Sequence, residues 1–140
     1  MTPAPLRDRP AWKALAAETP LHLEMPTAWS PGLAYDEFRA YGIKTTRGRR
    51  GPAAVAVVST PLGGYWSIQA MRWMDPPAIQ SPNSTQLIGG QEYMLFYQAD
   101  HLHMMAWKRN GTLFWVLNTL DNQLSNDLMI GIATSFKPVK

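Results

Sequence analysis

Few side chains in this sequence are suited to chemistry, and their spacing limits what they can do. His101-Leu102-His103 puts two imidazoles on one side of an extended strand, a spacing that can chelate a metal. Asp100 is adjacent, but no third ligand of suitable type follows. The reading with more weight is a solvated strand start with one half-buried histidine, so neither a metal nor another cofactor is expected. His22 lies in a proline-rich stretch and adds nothing to that pair.

The runs that organise common enzyme sites do not occur: no G-x-S-x-G elbow, no phosphate-binding glycine loop, no H-E-x-x-H. The acidic residues, among them Asp36-Glu37, Asp75, Glu92, Asp100, Asp121 and Asp127, form no pair spaced for acid–base work on one strand. With no cysteine, thiolate metal sites, disulfides and a cysteine nucleophile are excluded together. The expectation is a protein that is not an enzyme.

Aromatic residues are the richer signal. Tyr65-Trp66, Trp73, Tyr93, Phe96-Tyr97, Trp107 and Phe114-Trp115 crowd one half of the chain, more than a one-sided core can use. The segment Gly64 to Pro77 is the expected recognition surface, with Tyr65, Trp66, Arg72, Trp73 and Asp75 as its binding residues. Pro76-Pro77 stiffens it, so that its groups lose little entropy on binding. The competing reading makes it a structural clasp, with Trp73 plugging the sheet and Asp75 capping a turn. A second candidate is the basic run Arg47-Gly48-Arg49-Arg50, read as a solvated turn with an anionic partner as the alternative.

The elements that must hold these residues follow from punctuation and period. Eleven of twelve prolines lie at or before Pro82, so the first part of the chain is rich in breaks. Residues 1–20 read as a tail and a short helix, Ala11 to Glu18, capped by Asp8 and started by Pro10. Residues 21–140 read as a single domain. A hairpin of Leu33 to Ile43 and Ala53 to Thr60 carries the basic turn, and Tyr65 to Ala70 forms the next strand. Gly89-Gly90 and Asn110-Gly111 supply the positive φ angles that two-residue hairpin turns require, joining Thr85 to Ile88 with Gln91 to Tyr97, and Leu102 to Lys108 with Thr112 to Asn118. Ser125 caps a last helix whose Leu128, Ile132 and Phe136 share a face until Lys137-Pro138 stops it. The fold class is α+β: a twisted antiparallel sheet with a C-terminal helix on one face and a short N-terminal helix.

The 140 residues suit one domain, and 46% hydrophobic content argues for a folded chain. A net charge of +3 is too small to imply sequence-specific nucleic-acid binding. No apolar run reaches the length of a membrane helix, and Met1 to Pro10 lacks the apolar core of a signal peptide. An export signal or anchor, where there is one, is expected outside this chain.

The run Trp73-Met74-Asp75-Pro76-Pro77-Ala78-Ile79, then Gly89-Gly90, Leu113 to Leu120, Leu124-Ser125-Asn126, Met129, Ile132-Ala133 and Lys137-Pro138 carries a resemblance. It resembles the C-terminal extension that follows the catalytic domain in actinobacterial LytR-CpsA-Psr proteins, which attach glycopolymers to the cell wall. The likeness is densest over Gly63 to Pro138, thinner around Arg39-Ala40-Tyr41, and absent from the first twenty residues. The arginine- and aspartate-rich catalytic domain, with its divalent ion, has no counterpart here, so no catalytic residue is carried over. The resemblance implies an extracytoplasmic, envelope-associated accessory domain that binds or positions a glycopolymer, a lipid-linked polymer or a protein partner. The alternative is an assembly subunit whose aromatic sheet face is buried against another chain, a copy of itself or a different protein.

Overall fold

The computed structural model describes residues 1–44 and 50–139. The basic tip expected at Arg47 to Arg49 lies outside the described residues. The chain is α+β, and its centre is a seven-stranded sheet in which every neighbouring pair is antiparallel.

Short strands β1 (Thr2–Pro3), β2 (Glu24–Pro26) and β3 (Ala28–Trp29) and helix α1 (Arg9–Ala17) precede the sheet. A first meander follows, β4 (Ala34–Lys44), β5 (Arg50–Ser59) and β6 (Tyr65–Met71). The second comprises β7 (Ser84–Ile88), β8 (Gln91–Gln98), β9 (His101–Arg109) and β10 (Thr112–Leu117). Helix α2 (Asn126–Ala133) and strand β11 (Phe136–Pro138) end the chain. The order β4-β5-β6-β10-β9-β8-β7 shows that the meanders join along β6 and β10. The two expected tight turns are present, with φ of 57° and 81° at Gly89-Gly90 and of 51° and 76° at Asn110-Gly111.

The sheet has two unequal covers. On one face α1, α2 and the small strands bury Trp12, Leu15, Trp29, Met129 and Ile132 against Trp66, Trp107 and Phe114. Trp107 stacks on Phe114 with centroids 5.6 Å apart, and Phe136 meets Trp107 edge-on at 4.8 Å. On the other face the irregular crossing between β6 and β7 lays Trp73, Met74 and Ile79 over Met71, Leu113 and Trp115. Consecutive prolines keep this crossing out of the ladder, and Gln80 Nε2 donates to the carbonyls of Asp75 and Pro76 across its turn. No helix is long and apolar enough to cross a membrane among the described residues.

Three expectations are corrected. The last helix does not run to Phe136: it ends at Ala133, and Phe136–Pro138 pairs with Glu24–Pro26. Thr134 Oγ1 donates to Ile130 O at 2.7 Å and Ser135 Oγ to Ile132 O at 2.7 Å, so these hydroxyls take carbonyls at the helix end and turn the chain into a strand. Phe136 therefore reaches the core from β11. Asp8 stands at the start of α1, but its side chain makes no capping bond. Residues 1–9 are not a loose tail, because β1 pairs with β3, while the short N-terminal helix stands as expected with Trp12 and Leu15 in the main core.

The N-terminal layer is tied to the sheet by one ion pair. Glu24 is 2% exposed, and its carboxylate accepts Arg109 Nη2 at 2.6 Å and Nε at 3.1 Å to both oxygens. His22 Nε2 lies 2.7 Å from the same carboxylate, and Thr112 Oγ1 donates to the His22 carbonyl. Removing one partner of such a pair leaves a buried charge without compensation. Arg109→Met should therefore lower the unfolding free energy by about 3–5 kcal/mol in urea titration, with a smaller loss when Glu24→Gln is added. A loss within about 0.5 kcal/mol, the range of an ordinary surface substitution, would show that the pair does not hold the layer.

Tyr35 gives a pH dependence. Burial among Trp12, Trp29 and Phe38 pushes its phenol well above the usual tyrosine value. A folded-state value above the unfolded one favours the protonated native state. This stabilisation is complete below about pH 10 and is lost as pH rises beyond it. Tyr41 and Tyr93 are raised as well, chiefly by burial. Tyr35→Phe should flatten, without abolishing, the fall of melting temperature above about pH 10.

Candidate functional site

The five residues expected to bind do not come together. Tyr65 and Trp66 are neighbours on β6, so they point to opposite faces. Tyr65 is 59% exposed, whereas Trp66 is 1% exposed in the helix-side core, 5.7 Å from Trp29. Trp66 is thus buried in the helix-side core, and it also counts among the residues that line a cleft beside Tyr65. Arg72, Trp73 and Asp75 lie beyond the other end of β6, roughly 20 Å away at the rise of a strand. Arg72 is exposed, Trp73 packs half-buried on the second apolar cluster, and Asp75 accepts Lys108 Nζ at 3.1 Å. The Trp73 segment has the contacts of a clasp.

At the Tyr65 end a cleft of about 250 Å³ opens on the partly covered face. Val57 from β5, Tyr65, Trp66 and Ser67 from β6, His103 from β9 and Leu117 from β10 line it, with Asn118 and Leu120 from the loop that follows β10. The sequence pattern does not reveal how His103 arrives there. Phe96 pairs with Met104 but Tyr97 with Leu102, so His103 is an extra residue on β9. Such a bulge re-aims side chains. Leu102 goes fully into the helix-side core, while His103 joins the opposite face. Its Nδ1 lies 2.7 Å from Asn122 Oδ1, an oxygen that only accepts, so Nδ1 carries the proton. In neutral His103, Nε2 is then the bare acceptor. Asn122 holds a positive φ of 53° and donates from Nδ2 to Gln98 Oε1.

The loop from Asn118 to Leu124 is built from polar residues that bond inwards. Asn118 is 4% exposed and uses its whole amide: Nδ2 donates to Leu102 O and Leu124 O, and Oδ1 accepts from Thr119 N and Leu124 N. Thr119 Oγ1 accepts from Gln123 N and donates to Asp121. Gln123 Nε2 also donates to Asp121 Oδ2, and this bond together with that from Thr119 holds the Asp121 carboxyl below its ordinary value. Thr60 Oγ1 donates to Gln123 Oε1, joining this loop to the turn between β5 and β6. The approach is so close that a Cβ on Gly64 would lie 2.6 Å from Gln123 Oε1. At the loop's tip, Leu120 is 96% exposed.

Leu62, Tyr65 and Leu120 are three of the six large exposed apolar side chains among the described residues, so the two joined loops concentrate apolar surface. No residue lining the cleft carries a permanent charge. An aromatic face, an aliphatic tip, a hydroxyl and an imidazole acceptor suit a neutral ligand with one apolar face and one hydrogen-bonding edge. Among the described residues no three His, Asp or Glu side chains converge as metal ligands. His101 lies 3.6 Å from Asp100, both largely exposed. The sequence reading did not single out this loop, and the signal that could have done so is its density of Asn, Thr, Asp, Gln and Ser between Asn118 and Asn126.

No protein-family model, curated protein or solved structure matches the chain.

Removing the Asn118 amide would orphan two buried carbonyls and two N–H groups. Asn118→Ala should cost about 3 kcal/mol or more by chemical denaturation, and raise amide exchange across residues 118–124. Unchanged exchange there would show that the loop is held by other means.

Proposed function

We propose that this chain is a non-catalytic accessory module of the cell envelope that binds the sugar units of a glycopolymer through the cleft between Tyr65 and Leu120. The observation that carries the reading is an uncharged cleft with an exposed aromatic ring on its rim and an oriented histidine on its wall. A sugar ring offers an apolar face to Tyr65 and hydroxyls to Ser67 and His103 Nε2. Both walls are set before binding, so little ordering entropy opposes it. The envelope setting and the extracytoplasmic location rest on the resemblance of Gly63 to Pro138 to the extension of the LytR-CpsA-Psr proteins. Arg72, Trp73 and Asp75 act in this reading as a clasp.

A second reading has its own support. Leu120 at 96% exposure, Leu62 at 79% and Tyr65 at 59% would also seat in an apolar socket on another protein chain. In that case the module is an assembly subunit, and it sediments with its partner or with itself.

Titration with fragments of neutral cell-wall glycan tests the first reading. Tyr65→Ala and Leu120→Ser should each weaken binding about tenfold, at unfolding free energies within about 0.5 kcal/mol of the parent. Trp73→Ala should instead lower stability and leave affinity unchanged. Glycan affinity insensitive to Tyr65 and Leu120 would overturn the cleft assignment. Self-association abolished by Leu120→Ser would favour the assembly subunit.

A further inference from the structure

On the helix-bearing side, away from the Tyr65 cleft, a second concavity of about 200 Å³ lies between α1 and the β2–β11 ribbon. All of its charged lining is of one sign. Arg9 and Lys13 stand four residues apart on α1, so they share a helix face. Lys137 faces them from β11, with Met25, Thr27 and Val139 between. None of the three cations forms an ion pair among the described residues. Asp8, the acid nearest in sequence to Arg9, lines the adjoining small cavity with Tyr35 and does not line this groove.

The groove's frame is fixed by backbone pairing. Lys137 is held opposite Met25 in the β2–β11 register, and Val139 N donates to Leu23 O at 3.1 Å. Thr27 is committed to Ser135, donating to its carbonyl from Oγ1 and to its Oγ from the backbone. The charged heads are exposed, but their stems start from fixed positions on two facing elements. Like charges four apart on a helix repel, and a third cation across the groove adds to the repulsion. Among the described residues, no acid in the lining offsets either repulsion.

We propose that this groove is an anion site that takes a phosphate group, presented by a small phosphorylated molecule or by a lipid headgroup. Three converging cations, one of them a guanidinium with a planar donor fork, suit the several oxygens of a phosphate. The site is independent of the cleft reading: it lies on the other cover of the sheet and shares no residue with it.

The test is titration of the folded chain with sodium phosphate, against sodium chloride of equal ionic strength, followed by amide chemical shifts. Saturable shifts confined to residues 9–13, 25–27 and 137–139 are expected with phosphate alone. The double variant Lys13→Gln/Lys137→Gln should weaken binding about tenfold or more, whereas Lys13→Arg/Lys137→Arg should retain it. The Arg variant keeps the charge, so it separates loss of the site from loss of the fold. Vesicles of phosphatidylglycerol, compared with phosphatidylcholine, distinguish the sources. Co-sedimentation displaced by phosphate assigns the groove to a headgroup, and phosphate binding without vesicle binding assigns it to a soluble ligand. Equal shifts in chloride, shifts that do not saturate, or vesicle binding that survives Lys13→Gln/Lys137→Gln would overturn the proposal.

Discussion

A strand withdrawn from water on both sides has to be covered twice, and β10 imposes that constraint on everything around it. Thr112 to Val116 are all buried, with Leu113, Phe114 and Val116 inaccessible. The two helices and the small ribbons can cover only one face. The second cover has to come from the crossing between β6 and β7, whose prolines stop it from pairing as a strand and leave it free to lie across the sheet. That cover is shorter than the sheet. It shields Leu113 and Trp115, and it ends before Leu117, which is only half-buried on the floor of the cleft. The cleft is thus the part of the central strand that the crossing leaves uncovered.

The other cover buries the larger apolar cluster and adds a polar tie to it. Three residues of β2 pair with β11, and two of β1 with β3, ribbons too short to be stable alone. The ion pair of Glu24 with Arg109 joins this layer to the end of β9, with His22 and Thr112 bonded alongside. The basic groove lies on the same layer, between its ribbon and α1. The cleft on the side closed by the crossing is lined by uncharged residues, and the groove between α1 and the β2–β11 ribbon by cationic ones.

Local chemistry was legible in the sequence where it acts over a few residues. The Asn110-Gly111 and Gly89-Gly90 turns and the Ser125 cap, which accepts from Leu128 N, need no distant partner to be recognised. Period two placed Tyr65 and Trp66 on opposite faces, but which face is open depends on where the crossing lands, and no pattern within β6 holds that information. The bulge at His103 exists only in the pairing of β9 with β8. The strand Phe136–Pro138 is defined by Glu24–Pro26, more than a hundred residues earlier, so its apolar residue continued the helical pattern when read alone. Of the residues that line the cleft, Tyr65 and Trp66 were named as binding residues from residue type. Leu120 and His103 were not, because Asn118 reaches the carbonyl of Leu102 and Thr60 reaches Gln123 only once the strands are in register.

The sheet's two meanders meet along a single seam, β6 against β10. Within each meander, every strand pairs with its neighbour in sequence, so those contacts close short loops and form at small entropic expense. The seam joins Ser67–Met71 to Leu113–Leu117 across more than forty residues. It is the least local pairing within the seven-stranded sheet, and it closes the sheet's largest loop. Because the cleft floor is shared by β6 and β10, Ser67 and Leu117 come together only when that seam closes. The candidate site therefore exists only where the two meanders have joined, and neither meander alone carries it.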